Sequence, residues 1–177
     1  MAISMDTIKT LREKTGAGMV DCKKALEESE GNIEKAVEIL RKKGIAKAAK
    51  RGDREASEGV VKVAVSQDRK KAFILEMNSE TDFVSRSDKF QKLADDIFKV
   101  AIENEPADME ALMTLTMPDG HTVKDNLETL SGVIGEKLVL KRFDMASTDG
   151  TACAYSHQGG RIGVIVALEK DGADELA

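Results

Sequence analysis

The chain has no tryptophan, one tyrosine and five phenylalanines in 177 residues, so few rings are on hand for stacking against bases or sugars. Its two cysteines, Cys22 and Cys153, lie far apart with no Cys-x-x-Cys pair and no histidine at metal-ligand spacing. Each reads as a small core residue. The two histidines, His121 and His157, are isolated from any serine or acid in a recognisable catalytic context, so the pattern argues against an enzyme. No catalytic, metal-binding or cofactor-binding residue is assigned, and a hydrolase built on Cys22 or His157 ranks last among the readings. No apolar run approaches the ~20 residues of a membrane span. The opening Met1-Ala2-Ile3-Ser4-Met5-Asp6 carries neither a signal-peptide pattern nor an Arg-rich leader, and the expectation is a cytoplasmic protein.

What is present describes a folded chain. Hydrophobic residues make up 41% and charged residues 33%, the balance of a globular protein with enough apolar material for one domain or two small ones. A net charge of −5 disfavours a surface that coats nucleic acid, although a local basic patch is compatible with it.

The first fifty residues have helical periodicity. Met5, Ile8, Leu11 and Thr15 mark a short helix capped by Ser4, which Thr15-Gly16-Ala17-Gly18 stops. A second helix carries Met19, Cys22, Ala25 and Leu26 on one side. Gly31-Asn32 makes a turn and cap, and a third helix places Ile33, Ala36, Val37 and Leu40 on one face and runs on toward Lys47 and Lys50. Three short helices with narrow apolar faces form a module whose core is marginal by size. Its Gly16-Ala17-Gly18 follows a helix, not a strand, and lacks a third glycine, so it is no dinucleotide site. Met19 either fills the small core or, with Val20, offers an apolar edge to a partner. The run from Arg41 to Arg54 sets Arg41, Lys42, Lys43, Lys47, Lys50, Arg51 and Arg54 against Asp53. It reads as a solvated helix end and linker, with RNA contact as the alternative.

After Gly52 to Glu58 the period changes to alternation. Val61, Val63 and Val65 share one strand face, Ser66-Gln67-Asp68-Arg69 is the turn, and Ala72-Phe73-Ile74-Leu75 begins the return strand. That strand ends in Glu76-Met77-Asn78-Ser79-Glu80-Thr81-Asp82-Phe83-Val84, where Ser79, Thr81 and Asp82 are placed to accept from free backbone N–H groups of a starting helix. A long amphipathic helix follows from Asp88, with Phe90, Leu93, Ala94, Ile97 and Ala101 on its stripe. Phe83 precedes that stripe. It either staples the helix entry to the sheet or stands outward as a rigid apolar wedge.

Glu105-Pro106-Ala107-Asp108 and Met117-Pro118-Asp119-Gly120 break the pattern, and Val123, Leu127, Leu130 and Ile134 give another helix ending near Gly135. Strands are expected at Lys137 to Asp144, Thr151 to His157 and Ile162 to Leu168, the last two joined by Gln158-Gly159-Gly160-Arg161. The expected fold class is α+β: a three-helix module followed by antiparallel hairpins packed with helices. The expected divisions are 1–54, 55–147 and 148–177.

Two separated stretches carry a resemblance. Leu11-Arg12-Glu13-Lys14-Thr15-Gly16-Ala17-Gly18-Met19-Val20-Asp21-Cys22-Lys23-Lys24-Ala25-Leu26 and Thr81-Asp82-Phe83-Val84 are similar to signatures of the bacterial elongation factor Ts family. Ile134-Gly135-Glu136, Tyr155-Ser156-His157 and Arg161-Ile162-Gly163-Val164 resemble further segments of that family in the same order. The resemblance implies a guanine-nucleotide exchange factor that binds the translational GTPase elongation factor Tu and has no catalytic activity of its own. It also implies that the N-terminal module is ubiquitin-associated-like and meets the GTPase domain through Arg12, Met19, Val20 and Lys23. Thr81, Asp82, Phe83 and Val84 would form the contact that disturbs its Mg²⁺ and phosphate sites, with Asp82 and Phe83 entering between helices of that domain. Ile134, Gly135 and His157 would extend the contact.

Two departures stand out. Val20 occupies a position where many members have methionine. Many members also continue into a second core half and a helical coiled coil, whereas here the sequence given stops at Asp171-Gly172-Ala173-Asp174-Glu175-Leu176-Ala177. That stretch reads as the start of a helix, and the last strands are expected to leave an edge unpaired.

Overall fold

The computed structural model describes residues 3–170; the helix start expected at Asp171 to Ala177 lies outside them. The chain divides into two units, Met1–Arg54 with Glu128–Lys137, and Glu55–Leu127 with Leu138–Ala177. Its class is α+β, as the change of hydrophobic period implied.

In the first unit, helices α1 (Met5–Thr15), α2 (Met19–Glu28) and α3 (Ile33–Ala49) surround a small core. Ile8, Leu11, Ala17, Cys22, Ala25, Leu26 and Ala36 fill it, with Met19, Val37 and Leu40 packed at its margin. Local chemistry sets the helix ends. The Ser4 hydroxyl accepts from the Thr7 N–H at 3.1 Å and the Asn32 side chain from the Lys35 N–H at 2.8 Å, each satisfying a helix-start donor that has no partner within its helix. Gly16 closes α1 at φ 69°, where its N–H donates to the Arg12 carbonyl, a conformation open to glycine at little cost. Residues 128–137 join this unit through the Arg51 guanidinium on the Ser131 carbonyl and the Lys137 ammonium on the carbonyls of Gly52 and Arg54.

The second unit is built on an antiparallel sheet in the order β1 (Glu58–Val65), β2 (Lys71–Ser79), β3 (Leu138–Ser147). β3 ends three residues beyond Asp144, where the expected strand stopped, because it keeps pairing with β2 as far as Lys71 and Ser147. The middle strand buries Phe73, Leu75 and Met77 on one face and Ala72 and Asn78 on the other. Helix α5 (Asp88–Asn104) packs on β1 and β2 and buries Phe90, Leu93, Ala94, Ile97 and Ala101, the expected stripe, together with Phe98 and Val100. A two-stranded sheet of β4 (Thr151–His157) and β5 (Ile162–Leu168) covers the opposite face. Gly163 permits this approach, since a Cβ there would come within 2.5 Å of the Val61 Cγ1.

Two short helices escaped the periodicity. Helix α4 (Asp82–Ser85) is a single turn between β2 and α5, and α6 (Met109–Thr114) starts at Asp108, whose carboxylate accepts from the Ala111 N–H. Elements of four and six residues are too short to display a repeat. Helix α7 (Val123–Ile134) then begins in the second unit and ends in the first.

Candidate protein-docking site

Phe83 sits on α4 with 85% of its surface exposed. It does not staple the helix entry to the sheet. An exposed phenylalanine forgoes about 1.5–3 kcal/mol of burial, and the backbone around it is nevertheless held firmly. The N–H groups of Ser85, Arg86 and Ser87 donate to the carbonyls of Thr81, Asp82 and Val84 at 3.0–3.2 Å. The Ser85 and Ser87 hydroxyls donate to the carbonyls of Asp82 and Val84, and the Gln91 amide reaches back from α5 to the Ser85 carbonyl at 2.6 Å. The ring is therefore presented on an already ordered turn.

The polar residues before Phe83 divide their roles differently from the expectation. Thr81 caps α4, its hydroxyl accepting from the Val84 N–H at 3.4 Å. Ser79 is fully buried and donates, to the carbonyls of Thr81 at 2.9 Å and Glu58 at 3.4 Å, which ties the end of β2 to the turn and to β1. Asp82 pairs with Arg86 at 3.2 Å on an exposed surface. Val84 is half-buried.

In the first unit, Arg12, Val20 and Lys23 are exposed, and Lys23 is paired loosely with Glu27 at 3.9 Å. Val20 stands 67% exposed at the start of α2, whereas Met19 beside it is half-buried against the small core. Met19 therefore packs at the margin of the small core and keeps part of its surface in solvent. The turn before them is fixed: the Thr15 hydroxyl donates to the Leu11 carbonyl and accepts from the Ala17 N–H, and Ala17 is buried. Ile134 ends α7 half-buried, and Gly135 follows at φ 92° with its N–H on the Ser131 carbonyl.

His157 is exposed at the end of β4, and its Nδ1 lies 2.8 Å from the Tyr155 hydroxyl. Tyr155 is not among the expected contact residues, yet alternation along β4 places it on the same face as His157, and it is 57% exposed. Cys22 is buried, and burial pushes its thiol above the ordinary range. Cys153 is buried too, with its Sγ at 3.5 Å from an Arg69 guanidinium nitrogen. Among the described residues no group of three or more His, Cys, Asp or Glu is placed to hold a metal ion, and no helix is long and apolar enough to cross a membrane.

Much of the basic run is engaged internally. Lys43 pairs with Glu28 at 2.6 Å, Lys47 with Asp21 at 2.9 Å and Arg41 with Glu38 at 3.0 Å. The first two cross from α3 to α2, so they hold the helices together and leave less charge for RNA.

Residues 80–177 match the family model described as Elongation factor TS. The chain belongs to the elongation factor Ts family. It is 46% identical over 175 residues to elongation factor Ts of Hydrogenovibrio crunogenus, 45% over 178 residues to that of Chloroherpeton thalassium and 46% over 179 residues to that of Prosthecochloris aestuarii. These matches cover 98–99% of this chain and 58–62% of the relatives, so the chain spans about three-fifths of the length of these curated members of the elongation factor Ts family. The match begins at Glu80, one residue before the Thr81-Asp82-Phe83-Val84 turn. None of these relatives supports the RNA-binding alternative.

Proposed function

We propose that this chain is a guanine-nucleotide exchange factor of the cytoplasm that binds elongation factor Tu and speeds GDP release, with no covalent chemistry. The observation that carries the reading is Phe83, an exposed ring on a hydrogen-bonded turn. An aromatic on a turn that is ordered before binding enters a packed interface with little further loss of backbone freedom.

In this reading Asp82 and Phe83 go between helices of the partner's GTPase domain, with Thr81 and Val84 holding the turn, and disturb its Mg²⁺ and phosphate site. Loss of the metal removes the charge that offsets the diphosphate, so GDP leaves faster. A factor that binds the nucleotide-free GTPase more tightly than the nucleotide-bound form must, by linkage, weaken nucleotide binding by the same factor. Residues 1–54 act as a ubiquitin-associated-like contact module through Arg12, Met19, Val20 and Lys23. Residues 55–147 form the first core subdomain and 148–177 begin a second, with Ile134, Gly135 and His157 adding contacts.

The test is stopped-flow release of fluorescent GDP from elongation factor Tu. Adding the chain is expected to raise the release rate in proportion to its concentration until saturation. No acceleration at any concentration overturns the reading.

A further inference from the structure

The turn that carries Phe83 is braced from two other elements of the same unit. Helix α4 has four residues, so its last carbonyls find no N–H within it. Ser85 is buried, and its carbonyl accepts from the Gln91 Nε2 at 2.6 Å. The other end of the same amide is engaged as well: the Gln91 Oε1 accepts from the Lys62 ammonium on β1 at 3.0 Å. Lys62 is held in turn by Asp95 at 2.7 Å, one helical turn beyond Gln91 on α5, so both partners face the strand.

These bonds decide which way the Gln91 amide points. A lysine ammonium has three donors and no acceptor, so it takes only the amide oxygen and leaves the NH2 group for a carbonyl. The reversed amide would set its NH2 against the ammonium and its oxygen against the Ser85 carbonyl, losing both bonds. The Lys62 side chain is only 20% exposed, and a bond from a charged donor is stronger than one between neutral groups. Ser79 ties the entry of the turn to β2; the Gln91 bond ties its exit to α5 and, through Lys62, to β1.

We infer, on the reading of the chain as an exchange factor, that Lys62 and Gln91 are positioning residues for that activity: through the Ser85 carbonyl they hold the α4 turn as it presents Phe83. Neither side chain needs to touch the partner. Without the brace the turn has to be ordered during docking, and that cost is taken from the free energy available for inserting the ring. Gln91 supplies the donor and Lys62 its orientation, so loss of Gln91 is the more damaging.

The experiment compares Gln91→Met, Lys62→Met and Lys62→Arg in two measurements. Amide hydrogen exchange of the free chain, read by NMR, should quicken about tenfold at Ser85, Arg86 and Ser87 in Gln91→Met, less in Lys62→Met and not at all in Lys62→Arg. The β2 amides of Phe73, Leu75 and Met77 should keep the parent rate. GDP release from elongation factor Tu, per unit concentration of the chain, should slow at least about threefold in Gln91→Met, with no further loss when that change is added to Phe83→Ala, the non-additivity of residues that act through one another. Unchanged exchange at the three turn amides, acceleration spread equally over β2, or the same loss of release with and without the Phe83 ring would each overturn the inference. If Gln91→Met fails to fold, Lys62→Met against Lys62→Arg decides by the same measurements. A parent chain that fails to accelerate GDP release refutes the exchange-factor reading instead, and the amide rates then still decide whether Lys62 and Gln91 hold the turn.

Discussion

Gly132 of α7 lies directly against Gly44 of α3: a Cβ on residue 132 would come within 2.3 Å of the Gly44 Cα, and one on residue 44 within 3.3 Å of the Thr129 carbonyl oxygen. Two helix backbones meet here without intervening side chains. The contact joins residues 88 positions apart and anchors 128–137 to the three-helix unit.

Gly132→Ala should accordingly destabilise this unit by about 1–3 kcal/mol, the usual cost of forcing an extra methyl into a packed contact. Gly44→Ala should cost less, its nearest contact being a full ångström longer. Urea unfolding followed by circular dichroism reads both, and an unshifted midpoint in Gly132→Ala would refute the close crossing.

Phe83→Ala should leave the urea midpoint within about 0.5 kcal/mol of the parent, as expected for an exposed side chain. Release of labelled GDP from elongation factor Tu should slow tenfold or more, on the order of 1.4 kcal/mol of barrier. Equal release rates would remove Phe83 from the mechanism while leaving the fold untouched.

The Cys22 thiol is held above its ordinary value of 9.0 chiefly by burial. Below that pH both folded and unfolded chains keep the proton, and stability is unaffected. Above it the unfolded chain loses the proton first, so stability falls as pH rises until the folded thiol titrates as well. Urea midpoints measured from pH 7 to 10 should show this decline, and Cys22→Ala should make the alkaline slope shallower. The same burial predicts slow alkylation of Cys22 in the native protein and rapid alkylation in urea.

Asp68, in the turn between β1 and β2, is held below its ordinary value of 3.8, first by the Ser66 hydroxyl donating at 2.6 Å and then by the Lys70 N–H at 3.1 Å. Both bonds favour the carboxylate. An NMR titration should place its midpoint under 3.8, and Ser66→Ala should move it back toward that value.

The readable parts of the chain were those whose cause is local. The stripe on α5, the caps at Ser4 and Asn32 and the alternation of Val61, Val63 and Val65 are written at fixed spacings, and they placed the elements within a few residues. Thr81, Asp82 and Phe83 were legible as a helix start. The side to which Phe83 turns was not, because an aromatic just before an amphipathic helix fits either a staple or an outward ring. Ser79 was misjudged for a similar reason: a hydroxyl both donates and accepts, and only the positions of the Glu58 and Thr81 carbonyls decide which it does.

By itself the sequence determined the α+β class, the order of helices and strands, and the motifs that mark the elongation factor Ts family, because periodicity, capping and turn chemistry act over a few neighbouring residues. Only the tertiary structure decided that Phe83 stays in water, that Gly132 touches Gly44, and that Asn78 and Glu76 line one pocket with Gly160. Those outcomes depend on which distant backbones approach one another, and packing between residues tens of positions apart leaves no fixed spacing to read.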